Sequence, residues 1–264
     1  MTIGFIGGGN MATALMSGLI SSGKFKPSDV YVFDVNTAQL DKLSKTLGVC
    51  SCTSVSETEN TVDIIVLSVK PNIMPEIFKE LKGLDNKIYI SIAAGITLDA
   101  LNKGIGSGKK IIRTMPNTPA LVGCGMTVIT PNENVTPEEA DMVEEILSGV
   151  GETVRLDEKY MNAAIALHSS SPAYIYMLID AMADSGVKYG IPKAVSLKLA
   201  AKAVEGSAKM VLESSEHPMQ LKDNVCSPGG TTIAAVCELE NNGFRASVQK
   251  AIDACVNKAD LMSK

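Results

Sequence analysis

A chain of 264 residues, 45% of them hydrophobic, can build one large domain or two modest ones around a substantial core. A net charge of −5 with no basic run argues against a nucleic-acid surface, and the longest apolar stretches are broken by polar residues or prolines, against a membrane span. The six cysteines show no paired C-x-x-C spacing and only two histidines accompany them, so no metal site is expected. Without a signal-peptide pattern the expectation is a soluble, reduced, cytoplasmic protein.

The elements come in a regular order. Residues 2–6 form an apolar strand, Gly7-Gly8-Gly9-Asn10-Met11-Ala12 follows at once, and helical periodicity runs over 12–20. Gly7, Gly9 and Ala12 match the G-x-G-x-x-G/A spacing of a dinucleotide-binding turn. Gly7 permits the tight turn, Gly9 leaves room for a pyrophosphate on the helix N-terminus, and Ala12 lets helix and strand approach. Strands are predicted at 30–33, 63–69, 88–92, 110–113 and 127–129, with helices at 37–47 and 71–81. Thr136 reads as an N-cap, with Pro137 at the first helical position and two acids in the first turn. This alternation predicts a parallel sheet flanked by helices, a Rossmann-type domain over 1–157. Residues 158–264 are rich in Ala, Met, Leu and Lys and read as all helix: 161–187 with a kink at Pro172, then 191–213, 231–241 and 244–261. So apolar a helical half is expected to bury surface against another subunit.

Asp34 ends the second strand, close to the acidic position of the dinucleotide fingerprint. A carboxylate there accepts hydrogen bonds from ribose hydroxyls and repels a 2′-phosphate, which favours NADH and leaves NADPH as the second candidate. Ser68-Val69-Lys70-Pro71 and Ile92-Ala93-Ala94 stand at strand carboxyl ends, where open α/β sheets bind ligands. Met115-Pro116-Asn117-Thr118-Pro119 is a stiff loop suited to the face of a nicotinamide ring. Ser227-Pro228-Gly229-Gly230-Thr231-Thr232 exposes main-chain N–H groups ahead of a helix, an anion cradle for a carboxylate or a glycine-rich connection between helices.

In these segments, together with Ser171-Pro172-Ala173-Tyr174 and Lys222-Asp223, the chain resembles pyrroline-5-carboxylate reductases over essentially its whole length. The resemblance implies a Rossmann domain followed by a helical dimerisation domain, dimers that assemble into a decamer, and reduction of L-1-pyrroline-5-carboxylate to L-proline by NADH or NADPH. It implies that Gly7, Gly8, Gly9, Asn10 and Met11 hold the pyrophosphate, with Ile6 beside them at the cofactor, and that Ser68, Val69, Lys70, Pro71, Ile92, Ala93 and Ala94 line the cofactor, with Asn117 at the nicotinamide end. It places Glu158, Asn224, Ser227, Gly230, Thr231 and Thr232 at the substrate, with Thr232 near the imine nitrogen as the catalytic contact. One departure stands out. His168-Ser169-Ser170-Ser171-Pro172 occupies the place of the family's Ser-Gly-Ser, and this histidine is expected to pack or hydrogen-bond rather than to catalyse. Two rival readings share the glycine turn: a β-hydroxyacid dehydrogenase, which needs a proton-transfer residue, and a nucleotide-sensing protein without turnover.

Overall fold

The protein is described by a computed structural model covering residues 1–263. The chain divides into two compact units: Met1–Ser170 with the residues from Cys255 onward, and Ser171–Ala254.

In the first unit the described residues form an eight-stranded sheet: β1 (Ile3–Ile6), β2 (Val30–Phe33), β3 (Cys50–Ser51), β4 (Ile64–Leu67), β5 (Ile88–Ser91), β6 (Lys110–Met115), β7 (Gly125–Pro131) and β8 (Gly151–Arg155). Their spatial order is β3-β2-β1-β4-β5-β6-β7-β8. The first six are parallel. The sheet departs from the all-parallel expectation at β7, which runs antiparallel to β6. The connection from β6 to β7 holds only a short 3-10 turn, Thr118–Val122, whereas a parallel return needs a crossover of a dozen or more residues.

Helices α1 (Asn10–Ser21), α2 (Thr37–Leu47), α3 (Val55–Thr61), α4 (Met74–Glu80), α5 (Leu98–Ile105), α6 (Pro137–Leu147) and α7 (Met161–Ala164) cover the sheet. Successive strand residues serve opposite layers: Ile64 and Val66 join one core with Leu15, Leu19 and Val143, while Ile65 and Leu67 join another with Met74, Ile77 and Leu101. Strands buried on both faces explain why the sequence shows apolar runs there rather than alternation. Thr136 caps α6 in a full capping box with Glu139, and Pro137 opens the helix. The segment predicted as one helix over 71–81 begins with a 3-10 turn, Pro71–Ile73. Four short elements carry too little periodicity to be seen in sequence: α3, α5, β3 and β8.

The second unit contains α8 (Ser171–Lys188), α9 (Lys193–Glu213), α10 (Pro218–Val225), α11 (Thr231–Asn241) and the first turns of α12 (Phe244–Met262). Two expectations are corrected. Pro172 does not kink a continuous helix; it sits in the first turn of α8, where its missing N–H costs no helical bond, and the irregularity is a π-helical turn upstream, Ile165–Ser169. α10 was not expected, yet His217 caps it through a bond from the Met219 N–H and Pro218 opens it. Within this unit only Ala183, Ser196 and Ala200 are buried among the described residues, while Tyr176, Met177, Tyr189, Leu199 and Leu212 lie exposed. No helix of the described residues is long and apolar enough to cross a membrane.

Candidate active site

Because β1, β2, β4, β5 and β6 are parallel, their carboxyl ends share one edge of the sheet. This edge collects Ile6–Met11, Asp34, Ser68–Pro71, Ile92–Ala94 and Asn117 from segments distant in sequence. The order of strands reverses between β1 and β4, the topological switch point where such sheets bind dinucleotides.

The glycine turn is held from several sides. Gly7 has φ +104°, and a Cβ there would meet the Ser68 carbonyl oxygen at 2.8 Å. The Gly7 N–H donates to the Phe33 carbonyl (2.8 Å), and the Ser68 hydroxyl donates to the Gly7 carbonyl (2.7 Å). The Gly8 N–H donates to Asp34 Oδ2 (2.7 Å), and Gln39 Nε2 donates to the Gly8 carbonyl (2.7 Å). Gly9 behaves differently: a Cβ there would meet nothing within 4 Å. Gly9 is also the N-cap of α1 and offers no capping side chain, so the N–H groups of the first turn are left for a ligand. Open space over a dipole-favoured anion site fits a dinucleotide pyrophosphate.

Asp34 does more than the sequence suggested. Its Oδ1 accepts the Asn36 N–H (2.8 Å) while Oδ2 accepts that of Gly8, so the carboxylate ties β2 to the turn. Each oxygen keeps a lone pair for a further donor. Asp34 also borders a hollow lined by Phe33, Val35, Thr37, Leu40, Asp41, Ser51, Cys52 and Thr53, which holds two carboxylates and neither Lys nor Arg. Lys70 is exposed at the start of the 3-10 turn after β4. Ala94 packs with Met115, Met161 and Ile165, joining the segment after β5 to the end of β6, where the next loop begins. In that loop Asn117 is buried, and both ends of its amide are engaged: Nδ2 donates to the His168 carbonyl (3.0 Å) and Oδ1 accepts the Met126 N–H (2.9 Å).

Glu158 also lies in the first unit. Its Oε1 accepts from the Leu98 N–H at the start of α5 (2.7 Å) and from Arg113 Nη1 (2.8 Å), and Arg113 is itself 2% exposed. This carboxylate therefore joins α5 to β6. In the second unit Asn224, Ser227, Gly230, Thr231 and Thr232 are gathered around the connection from α10 to α11. Asn224 donates to Glu216 Oε2 (3.0 Å) and accepts from Gln220 Nε2 (2.9 Å). The Gly230 N–H closes a turn on the Ser227 carbonyl (3.0 Å). Gly230, not a threonine, is the N-cap of α11 and supplies no side-chain acceptor, so the threonines occupy the first helical positions beside open N–H groups. Two partners escaped the sequence reading. Gln39 was legible only as a residue in the first turn of α2, and Glu216, eight residues before Asn224, gave no sequence signal.

Residues 158–262 match the family model described as pyrroline-5-carboxylate reductase dimerisation, and residues 2–95 match that of NADP oxidoreductase, coenzyme F420-dependent. The chain is 47% identical to pyrroline-5-carboxylate reductase of Escherichia coli (strain K12), over 99% of this chain and 98% of that protein. It belongs to the pyrroline-5-carboxylate reductase family. Pyrroline-5-carboxylate reductase 2 of Homo sapiens is 39% identical, over 100% of this chain and 84% of that one. The solved structure of the Plasmodium falciparum pyrroline carboxylate reductase, with NADP bound, superposes with a TM-score of 0.92 at 33% identity, covering 100% of this chain and 98% of that one. As a member of this family, the chain is an oxidoreductase that reduces L-1-pyrroline-5-carboxylate to L-proline with a nicotinamide cofactor. It self-associates through its helical half, in accord with the apolar side chains that half leaves exposed.

Proposed function

We propose that this reductase prefers NADH. The observation that carries the preference is the hollow beside β2, where Asp34 and Asp41 stand without a basic side chain. Ribose hydroxyls can donate to the spare lone pairs of Asp34, whereas a 2′-phosphate would meet two carboxylates with nothing to neutralise it. The relative from Plasmodium falciparum was solved with NADP, so the preference belongs to these side chains and not to the fold. The test is kcat/KM for both cofactors in the wild type and in Asp34→Ser. A higher wild-type value for NADH, moving toward NADPH in the variant, is expected. A wild-type preference for NADPH, or a ratio that does not move, refutes the assignment.

The cofactor supplies a hydride to the imine carbon. Gly7–Met11 bind its pyrophosphate, Ser68–Pro71 and Ile92–Ala94 border its path, and the Asn117 loop carries the nicotinamide end. The second unit takes the substrate carboxylate on the open N–H groups at the start of α11, with the hydroxyls of Ser227, Thr231 and Thr232 around it and Thr232 toward the imine nitrogen. A protonated imine is already electrophilic, so orientation and exclusion of water account for most of the catalysis. Residues 158–264 act as the dimerisation and substrate-binding domain; Glu158 acts on the substrate side through its contacts to α5 and Arg113, and Asn224 through its bond to Glu216. The working form is a dimer that assembles further into a decamer, supported by the near-absence of a private core in the second unit. Six free cysteines support a reducing, cytoplasmic setting.

A further inference from the structure

In the structure His168 is built into the loop that follows β6. Its Nδ1 lies 2.5 Å from the Ala164 carbonyl oxygen, within its own π-helical turn, and its Nε2 lies 2.8 Å from the Met115 carbonyl oxygen at the end of β6. The neighbouring Ser169 hydroxyl donates to the Pro116 carbonyl (3.3 Å) and lies 3.0 Å from His168 Nε2. The His168 carbonyl, in turn, accepts from Asn117 Nδ2 at 3.0 Å. Ring, backbone and neighbour thus hold three consecutive residues, Met115, Pro116 and Asn117, from one turn of helix. That turn is π-helical, the form that widens a helix by one residue and recurs at functional sites. Four residues further on stands Pro172, which has no N–H to return to the His168 carbonyl, and that carbonyl takes a side-chain donor instead. Asn117 passes the constraint to β7 through the Met126 N–H.

We propose that His168 is a positioning residue for hydride transfer: it fixes the shape of residues 115–117 so that the nicotinamide ring is held at one depth and angle. The proposal rests on the reading above that this loop carries the nicotinamide end of the cofactor. His168 meets the Ala164 and Met115 carbonyls and the Ser169 hydroxyl, all groups of the loop and of its own turn, so its effect is on geometry and not on proton transfer. Small errors in the approach of hydride and acceptor cost rate steeply, while binding of the adenosine end and of the substrate carboxylate is set elsewhere.

The test uses the full-length enzyme in His168→Ala, His168→Asn and Asn117→Ala, with kcat, KM for pyrroline-5-carboxylate, cofactor Kd by fluorescence of the bound dihydronicotinamide, and the primary isotope effect with cofactor deuterated at the transferring position. For His168→Ala we expect kcat to fall about tenfold, in line with the cost of misorientation, KM and cofactor Kd to stay within about twofold of the wild type, and the isotope effect on kcat to rise as the chemical step becomes more limiting. His168→Asn, which keeps a donor near the Met115 carbonyl, should recover part of the rate; if His168→Ala does not fold, His168→Asn is judged by the same split between kcat and binding. Unchanged kcat, or a loss shared equally by kcat and cofactor affinity, overturns the proposal. Asn117→Ala separates the two failures. If it lowers kcat while the His168 variants do not, the role of His168 alone falls. If neither position alters kcat or the isotope effect, the placement of the loop at the nicotinamide falls as well.

Discussion

Gly7 and Gly9 lie two residues apart in one motif, and the structure predicts that the same substitution fails at each for a different reason. At Gly7 an alanine would have to hold φ +104°, with its Cβ 2.8 Å from the Ser68 carbonyl oxygen and 2.9 Å from the Ser68 carbonyl carbon. Ser68 cannot retreat freely, because its N–H donates to the Ile6 carbonyl and its hydroxyl to that of Gly7. Backbone strain of this kind costs about 2–3 kcal/mol before any clash is counted. For a unit of this size that is a fall in Tm of roughly 5–10 °C. At Gly9 the Cβ meets nothing and φ is −66°, so Gly9→Ala should cost the free protein only the small difference between glycine and alanine at an N-cap, about 0.5–1 kcal/mol. The methyl group would instead occupy the space over the α1 N-terminus and weaken cofactor binding by at least tenfold, about 1.4 kcal/mol. Thermal unfolding by circular dichroism, without cofactor, reads the first effect. Fluorescence of bound NADH reads the second, and the absence of tryptophan removes the usual protein background. Equal Tm values for the two variants would refute the strained turn, and unaltered NADH affinity in Gly9→Ala would refute the pyrophosphate position.

In the second unit, Thr232→Ala should lower kcat by removing a hydroxyl from the substrate, while Gly230→Val, whose Cβ would clash with Ser227 Oγ, should raise KM for substrate and leave cofactor Kd unchanged. Steady-state kinetics with unchanged constants in both would remove this loop from the active site. Light scattering should show a dimer or larger assembly at micromolar concentration, and a stable, active monomer would contradict the exposed apolar faces of the helical half. Tyr89 is fully buried and donates to Glu59 Oε1 at 2.7 Å; burial, then that hydrogen bond, push its phenol well above the usual value near 10. Above about pH 10 the unfolded chain loses a phenolic proton that the folded chain keeps, so stability falls as pH rises there. Urea unfolding at alkaline pH should show this limb, and Tyr89→Phe should lose part of it while being less stable by about 1–3 kcal/mol at neutral pH, where Glu59 and the Leu84 N–H lose a partner.

Local chemistry determined a good deal of this protein. The strand, glycine turn and helix over 2–20 were legible because φ > 0 and a side-chain-free approach are properties of single residues, and the cap of α6 because Thr136, Pro137 and Glu139 act within one turn. The long helices were legible because periodicity accumulates over many residues, whereas β3, α3 and α5 are too short to accumulate it. Tertiary structure decided what no window of sequence contains. The direction of β7 followed from the room left after β6, and the break near Pro172 moved upstream because a proline is tolerated in a first turn while the π-helical turn answers to Met115 and Asn117, some fifty residues away. Asp34 reads in sequence as a ribose ligand, but its bonds to Gly8 and Asn36, and the clamp of Gln39 on Gly8, arise only when β2 and α2 fold against the turn. Hydrogen bonds depend on distance and angle in space, and residues thirty or fifty positions apart leave no pattern of their pairing in the order of the chain.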